Sequence, residues 1–427
     1  MENKRSRIYL VLIGIMFSLI SICCAFKPQT TLAVFAKGEN ELVAVHVIDV
    51  GQGDATFVEL PDGQTMLIDA GDTDKGETVV NYIRGLGYNK LDYVVLTHSD
   101  SDHVGGMPKV FEAFEIKNVF RPFVLSVKDD IGVDPLAGLY TDAEIYTVTT
   151  RIYAQFIKAV YAETYSGEPA NVFVSYDGKT LASTDASKMY SIEFHAPIVS
   201  SNVPISATAK TTGYPTKRYS GSDAHVKNSV SAVFSLLVDG TSKFLFTGDV
   251  TEEAERDFLG VMSENEKALI SNVDFLKVAH HGSKTASSKE FLEVVKPHFA
   301  SISVKAGNSY GLPDEVVIDR LNTYLSGNGA GIVRTDESGN IVFTLDSNHN
   351  LICNVNVTPA TPKTNTVPSW VYYALIAVVV LIIIICIVVD YKRRKRVTKK
   401  SVKRAKRTYK KGKKIAKAVS DYAEKQK

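Results

Sequence analysis

Between residues 41 and 346 the chain alternates two kinds of apolar run. Residues 42–48 and 65–68 are short, rich in β-branched side chains and bounded by Gly and Asp, the signature of strands set between turns. Residues 78–86 read as a helix and 91–96 as a buried strand. Further strands are predicted at 231–238, 243–246, 275–278, 300–304 and 341–345, with helices at 252–259, 289–295 and 314–324. Strands clustered toward both ends, with helices between, predict an α/β sandwich.

Outside this body the pattern changes. Lys4, Arg5 and Arg7 precede an apolar stretch from Ile8 to Phe26, and small residues follow to Ala36. That order describes a secretory signal peptide over 1–36, or an N-terminal anchor if it is retained. Residues 371–389 carry no charge, enough length to span a bilayer, with Trp370, Tyr372 and Tyr373 at one edge. The reading is therefore an extracellular domain over 37–358, a stalk at 359–369 and a single C-terminal transmembrane helix at 370–390. A basic cytoplasmic tail at 391–427 follows from the positive-inside rule.

Charge sharpens this division. A net charge of +2 conceals 18 Lys and Arg against two acids beyond Asp390, and 27 basic against 44 acidic residues between 37 and 390. So acidic a body does not suit a protein that binds nucleic acid by neutralising phosphates, so nucleic acid is not the favoured partner. The tail, with Val402, Ala405, Tyr409, Ile415 and Val419 among lysines, suits a helix lying on anionic lipid. Apolar residues at 45% exclude a polytopic membrane protein, and charged residues at 22% with few prolines exclude a mostly disordered one. Cys23, Cys24 and Cys386 lie in the apolar ends, which leaves Cys353 alone in the body and no disulfide there.

The chemistry gathers at Leu96-Thr-His98-Ser-Asp100-Ser-Asp102-His103-Val-Gly-Gly106, immediately after a predicted strand. Four potential ligands fall within six residues, and imidazole with carboxylate is a ligand set that suits zinc. This segment resembles the His-x-His-x-Asp-His signature of the metallo-β-lactamase superfamily. More narrowly, the chain resembles the branch typified by the hydrolase domain of the bacterial competence protein ComEC. The blocks that carry the resemblance run in order from His46-Val-Ile-Asp49-Val-Gly-Gln-Gly-Asp54 and Leu67-Ile-Asp69-Ala-Gly71 through the signature loop. They continue with Asn228-Ser-Val-Ser231, Phe246-Thr-Gly-Asp249, Leu276-Lys-Val-Ala-His280-His281-Gly-Ser283, Asn308-Ser-Tyr-Gly311 and Arg334-Thr-Asp336.

The resemblance implies a four-layer αββα sandwich with metals at one edge. It implies that His98 and Asp100 serve one Zn2+ ion and Asp102 and His103 a second. Asp249 then bridges them, and His280 completes the second site. Catalytic roles fall to Asp102, Asp249 and His281, the last at the substrate or a proton. Asp69 supports the ligand loop, or only caps backbone, and Asn228 and Asn308 face substrate or the ligands.

Two departures bear on the metal. Asp100 stands where the superfamily usually has histidine, which could favour Mn2+, so one or two ions of either kind fit. A third histidine for the first site is not obvious, His195 and His225 being the candidates. Leu312 also replaces a histidine common in this branch. The implied activity is hydrolysis through a metal-bound hydroxide, with a cell-surface or extracellular phosphodiester as the expected substrate. A metal-poor surface binding or scaffold module is the alternative.

Overall fold

The computed structural model describes residues 37–122, 151–198 and 223–355, apart from 39, 184, 186 and 188. It also describes 127–128, 132–133 and parts of 388–424. The leader at 1–36, the stalk at 359–369 and, but for Val388, the apolar run at 371–389 lie outside the described residues. Among those described, no helix is long and apolar enough to cross a membrane. The chain divides into two compact units, Met1–Pro362 and Lys363–Lys427. In the second, residues 399–418 are helical and contain no acidic side chain, with Val402, Tyr409 and Ile415 exposed.

The first unit is built on two mixed sheets. One takes β1 (Glu41–Val47), β2 (Thr56–Glu59), β3 (Thr65–Ile68), β4 (Lys90–Val95) and β5 (Glu115–Arg121). Small ribbons β6 (Val127–Lys128) with β7 (Gly132–Val133), and β8 (Thr164–Tyr165) with β9 (Glu168–Pro169), precede its edge strand β10 (Asn171–Val174). The second sheet takes β11 (Thr180–Ala182), β12 (Tyr190–Ala196), β13 (Val233–Val238), β14 (Ser242–Phe246), β15 (Phe275–Lys277), β16 (Phe299–Ile302) and β17 (Gly331–Arg334). The chain then returns to the first sheet with β18 (Ile341–Asp346) and β19 (Leu351–Cys353). The strand orders are β10-β5-β4-β3-β2-β1-β18-β19 and β11-β12-β13-β14-β15-β16-β17.

Each sheet is antiparallel in one part and parallel in the other. Strands β3, β4, β5 and β10 run parallel, as do β14, β15, β16 and β17. The parallel strands need crossovers, and helices supply them. They include α1 (Gly76–Gly85), α2 (Ser101–Val104), α3 (Met107–Ala113), α4 (Arg151–Ala162), α5 (Asp223–Ser229), α6 (Glu252–Val261), α7 (Glu264–Leu269), α8 (Lys289–Val295) and α9 (Glu315–Tyr324). The N-cap Thr251 side chain accepts from the Ala254 amide, and three glutamates in the first turn of α6 complement its dipole.

Strand alternation explains the layers. Val43, Val45 and Val47 of β1 pack inward with Phe120, Phe194, Phe234, Phe275 and Phe343, which come from both sheets. Ring pairs cross between the sheets, Phe275 to Phe343 at 4.9 Å and Phe120 to Phe194 at 5.2 Å. Phe57, Leu67 and Val94 face outward onto Val79 and Ile83 of α1. Each buried aromatic removes enough apolar area to contribute about 2 kcal/mol. Helices outside and sheets within give the sandwich expected from the sequence. His46 belongs to this framework, with Nδ1 3.0 Å from the Tyr82 hydroxyl and Nε2 3.0 Å from Glu59.

Candidate metal centre

Loops at the C-terminal ends of β4, β14 and β15 meet at one edge of the sandwich. The first is held from below by Asp69, a residue at φ 57 after β3. Its Oδ1 accepts from the Thr97 amide at 2.8 Å, and its Oδ2 accepts from the Thr97 hydroxyl at 2.7 Å. The same Oδ2 lies 2.7 Å from His103 Nδ1. Thr97 gives its hydroxyl proton to Asp69, so its oxygen accepts from His98 Nδ1 at 3.1 Å. Both imidazoles are thereby fixed with Nδ1 protonated and Nε2 turned inward.

Glycines let the neighbouring loops close on this one. The Asp54 amide donates to the Asp102 carbonyl at 3.1 Å. A Cβ at Gly53, which has φ +128, would run into that carbonyl, and one at Gly106 would run into the carbonyl of Ala70.

The second sheet contributes Asp249 and the histidine pair. The Asp249 amide receives the Ser231 hydroxyl as its acceptor at 3.2 Å. His280 and His281 both adopt left-handed backbone, at φ 50 and 53, a conformation that is costly for residues with a Cβ. It sends the two rings in different directions. His281 is buried, with Nδ1 3.0 Å from the Ser303 carbonyl and Nε2 3.2 Å from Asp102 Oδ2 and 3.6 Å from Asp249 Oδ2. His280 is part-exposed, with Nδ1 3.0 Å from the Thr285 hydroxyl. In the orientation that satisfies its neighbours, the Asn228 amide oxygen accepts from His280 Nε2 at 3.2 Å and its nitrogen donates to Asp100 Oδ2 at 3.2 Å.

Ligand-type atoms therefore converge in overlapping groups: His98, His103 and Asp249; Asp102, His103 and His281; Asp54, Asp249 and His281. His103 Nε2 lies 3.3 Å from Asp249 Oδ1 and His98 Nε2 lies 4.0 Å from Asp249 Oδ2. Three of these atoms, His98 Nε2, His103 Nε2 and Asp249 Oδ1, are buried without a hydrogen-bond partner. Buried polar atoms are rarely left so, and three aimed at one point are what a cation would satisfy. The residues fit a divalent metal.

The electrostatics agree. Burial works to raise the Asp249 carboxyl, but His103, His281 and His280 outweigh it and hold the group well below the ordinary carboxylate range. Burial likewise opposes ionisation of Asp102, and the hydrogen bond from His281 with the His103 charge brings it down to about 2. His281 is driven down by burial yet up by Asp249, Asp102 and Asp54, and ends at about 10. A site that holds protons this tightly on nitrogens between carboxylates is a site short of positive charge.

Two of the residues that the sequence singles out have protein partners at the centre. Asp100, expected on the first ion, places its Oδ1 2.9 Å from Lys227 Nζ, because α5 lays that lysine alongside the loop. The left-handed turn puts His281 inside, while His280, expected among the ligands, stands against Asn228 and Thr285 with its Nε2 3.8 Å from Asp249 Oδ2. The two spare histidines stay apart from the convergence. His195 Nε2 is 2.8 Å from the Ser235 hydroxyl, with burial pushing its pKa down to about 4, and His225 Nε2 is 3.2 Å from Glu253. Asn308 holds the 305–312 loop, accepting from the Tyr310 and Leu312 amides and donating to the Lys305 and Leu312 carbonyls.

The centre opens into a cavity of about 400 Å³, with Asp249 and His281 in its lining alongside Asn228, His280, Tyr310 and Leu312. A second cavity of about 420 Å³ shares Gln52, Asp102 and Tyr310 with it and adds Lys305, Asn308 and Ser309.

Sequence reasoning overlooked a buried ion pair beneath the centre. Lys277 Nζ lies 2.8 Å from Asp54 Oδ2, and both side chains are buried. Burial resists ionisation of Asp54, but Lys277 and then His281 hold its carboxyl far below the usual range. The available signals were a lysine inside an apolar strand and an aspartate closing a Gly-x-Gly turn. Lys227 carried no signal of its own.

Comparison with known proteins converges on the same place. The profile of the Metallo-beta-lactamase superfamily matches residues 48–125. ComE operon protein 3 of Bacillus subtilis is 26% identical over 80% of this chain and 37% of its own length. Competence protein ComA of Neisseria gonorrhoeae is 27% identical over 75% of this chain and 34% of its own. This chain thus spans about a third of the length of those relatives. Among solved structures, the metallo-beta-lactamase fold protein YhfI from Bacillus subtilis aligns over 68% of this chain and 95% of that one, at 12% identity and a TM-score of 0.35. The signature loop at the edge of a two-sheet sandwich thus falls inside the stretch that matches the Metallo-beta-lactamase superfamily, and along most of its length the chain is similar to ComEC-family competence proteins.

Proposed function

We propose that this domain is a metal-dependent hydrolase of phosphodiesters, held at a membrane surface with its centre outside. The observation that carries the reading is the set of three buried, unpartnered atoms, His98 Nε2, His103 Nε2 and Asp249 Oδ1, beside an open cavity. His98, His103, Asp249, Asp102 and His281 together offer the donors that would hold the ion, and a mixed imidazole and carboxylate set suits Zn2+ or Mn2+. A bound divalent ion supplies a water-derived nucleophile at neutral pH and charge stabilisation for an oxyanion.

The protein's own residues do the positioning. Asp69, Thr97 and the Ser303 carbonyl each fix one imidazole by its Nδ1, so no ring must turn when a substrate enters. His280 stands at the cavity wall, where Asn228 orients its ring through Nε2. Gln52 and Lys305, in the adjoining cavity, offer donors to non-bridging oxygens. Membrane attachment rests on the uncharged run at 371–389 and the basic helix at 399–418.

The test is turnover by the full chain, with added Zn2+ or Mn2+, of bis-p-nitrophenyl phosphate, DNA and phosphocholine esters side by side. Metal-dependent release from at least one, abolished by His103→Ala, is the expected result. Stoichiometric metal uptake with no turnover of any of them would instead favour a binding module.

A further inference from the structure

Asp100 and His280, both held by protein partners, lie on the same side of the centre. Asp100, Asn228, His280 and Lys227 form one chain of contacts, from the ammonium at 2.9 Å to Asp100 Oδ1, from Asp100 Oδ2 to the Asn228 amide at 3.2 Å, and on to His280 Nε2 at 3.2 Å. Both oxygens of Asp100 are engaged, and the nitrogen of His280 that faces Asp249 is spent as a donor. His98 Nε2 is then the one remaining nitrogen on that side, 4.0 Å from Asp249. On the opposite side Asp102, His103 and His281 form one three-donor group, with Asp249 Oδ1 3.3 Å from His103 Nε2 and Asp249 Oδ2 3.6 Å from His281 Nε2.

We infer that the centre takes one divalent transition-metal ion rather than two, and that the Lys227 ammonium, paired with Asp100, supplies the positive charge a second ion would bring. The inference rests on the metal-centre reading above and narrows it. Three protein donors and a water satisfy one catalytic transition-metal ion. A second would have to share Asp249 and His103 with the first, take His98, and find the rest of its shell from Asp100 and His280, both committed elsewhere. It would also sit beside a lysine only 12% exposed, where water screens like-charge repulsion poorly. Lys227 therefore acts as a positioning residue and not as a catalytic one: it fixes how many cations the cavity admits.

The experiment is a metal count. Full-length chain in detergent is stripped with chelator, titrated with Zn2+ by calorimetry, and analysed for ions per chain after gel filtration, with circular dichroism as a check on folding. Wild type is expected to hold one ion. Lys227→Met and Lys227→Gln, which remove the charge and release Asp100, are expected to gain a second, its affinity rising at least about tenfold. Lys227→Arg, which keeps the charge, stays at one. Two ions in wild type, or no second ion in either neutral variant, overturn the inference while leaving the metal centre standing. No ion at all in wild type removes the metal reading itself.

Discussion

Asp100 and Asp102 belong to one loop, two residues apart, and meet opposite company. Asp102 turns toward the buried His281, which marks the deep side of the centre, and shares its charge with that ring. Asp100 turns toward the side of the part-exposed His280, the open side, and shares its charge with Lys227 of a short helix, although the two carboxylates are about equally exposed themselves. One carboxylate is left facing a cluster of lone pairs that only an added cation satisfies; the other already has its cation built in. A signature motif specifies which donors are present in a loop. What those donors do depends on which element of the second sheet packs against each of them.

The largest effect should come from breaking the deep side. Asp249→Ala removes the carboxylate that His98, His103 and His281 all approach, and metal affinity is expected to fall by more than the roughly hundredfold typical of losing a supporting partner. Asp100→Ala on the open side should lower affinity for the first ion by less than about tenfold, since that side chain contributes no bond to it. Isothermal titration of both variants against wild type measures the contrast, and equal losses would erase the distinction between the two sides.

Next in size is the ion pair under the deep side. Lys277→Met leaves Asp54 charged and buried with His281 but no lysine beside it, and truncating one half of a buried pair typically costs about 3–5 kcal/mol. Adding Asp54→Asn in the same chain should recover most of it. Denaturant midpoints of wild type, single and double variants form the cycle; a single variant as stable as wild type would mean that His281 alone can balance Asp54.

The smallest effect concerns a buried carboxylate with no cation beside it. Glu255 on α6 accepts from the Ser287 and Ser288 amides at 2.6 and 2.8 Å, yet burial pushes its carboxyl up from 4.5 to about 7. The folded state therefore prefers the protonated form. The stability this gives is complete below about 4.5 and is lost as pH rises through about 7, a change of roughly 3 kcal/mol at most. Glu255→Gln should flatten that slope between pH 5 and 7.5 relative to wild type, read again from denaturant midpoints.

Much of the framework was legible because local chemistry and tertiary packing agree. Residues 65–68 and 289–295 form the strand and helix expected there, with Gly, Asp and the Ser288 cap marking their ends. Strand β5 escaped notice because its first half, Glu115-Ile-Lys-Asn, is charged and half-exposed where it runs past the end of the edge strand β10, which masks its apolar second half. Around the site, the loop with His98, Asp102 and His103 was legible from ligand spacing alone. The division of labour between His280 and His281 was not, since it depends on a left-handed backbone that neither residue type favours. Nor could sequence show that Lys227, 127 residues away from Asp100, would lie beside it.

The loops that make the deep side grow from different sheets, Asp102 and His103 after β4 and Asp249 and His281 after β14 and β15. Neither sheet possesses the centre by itself. An ion bound there acts as a rivet between the two halves of the sandwich, present only once their phenylalanine faces have met. Cation binding and sheet docking would then be one cooperative event. A chain whose halves part loses the convergence of donors, and with it the seat of the ion.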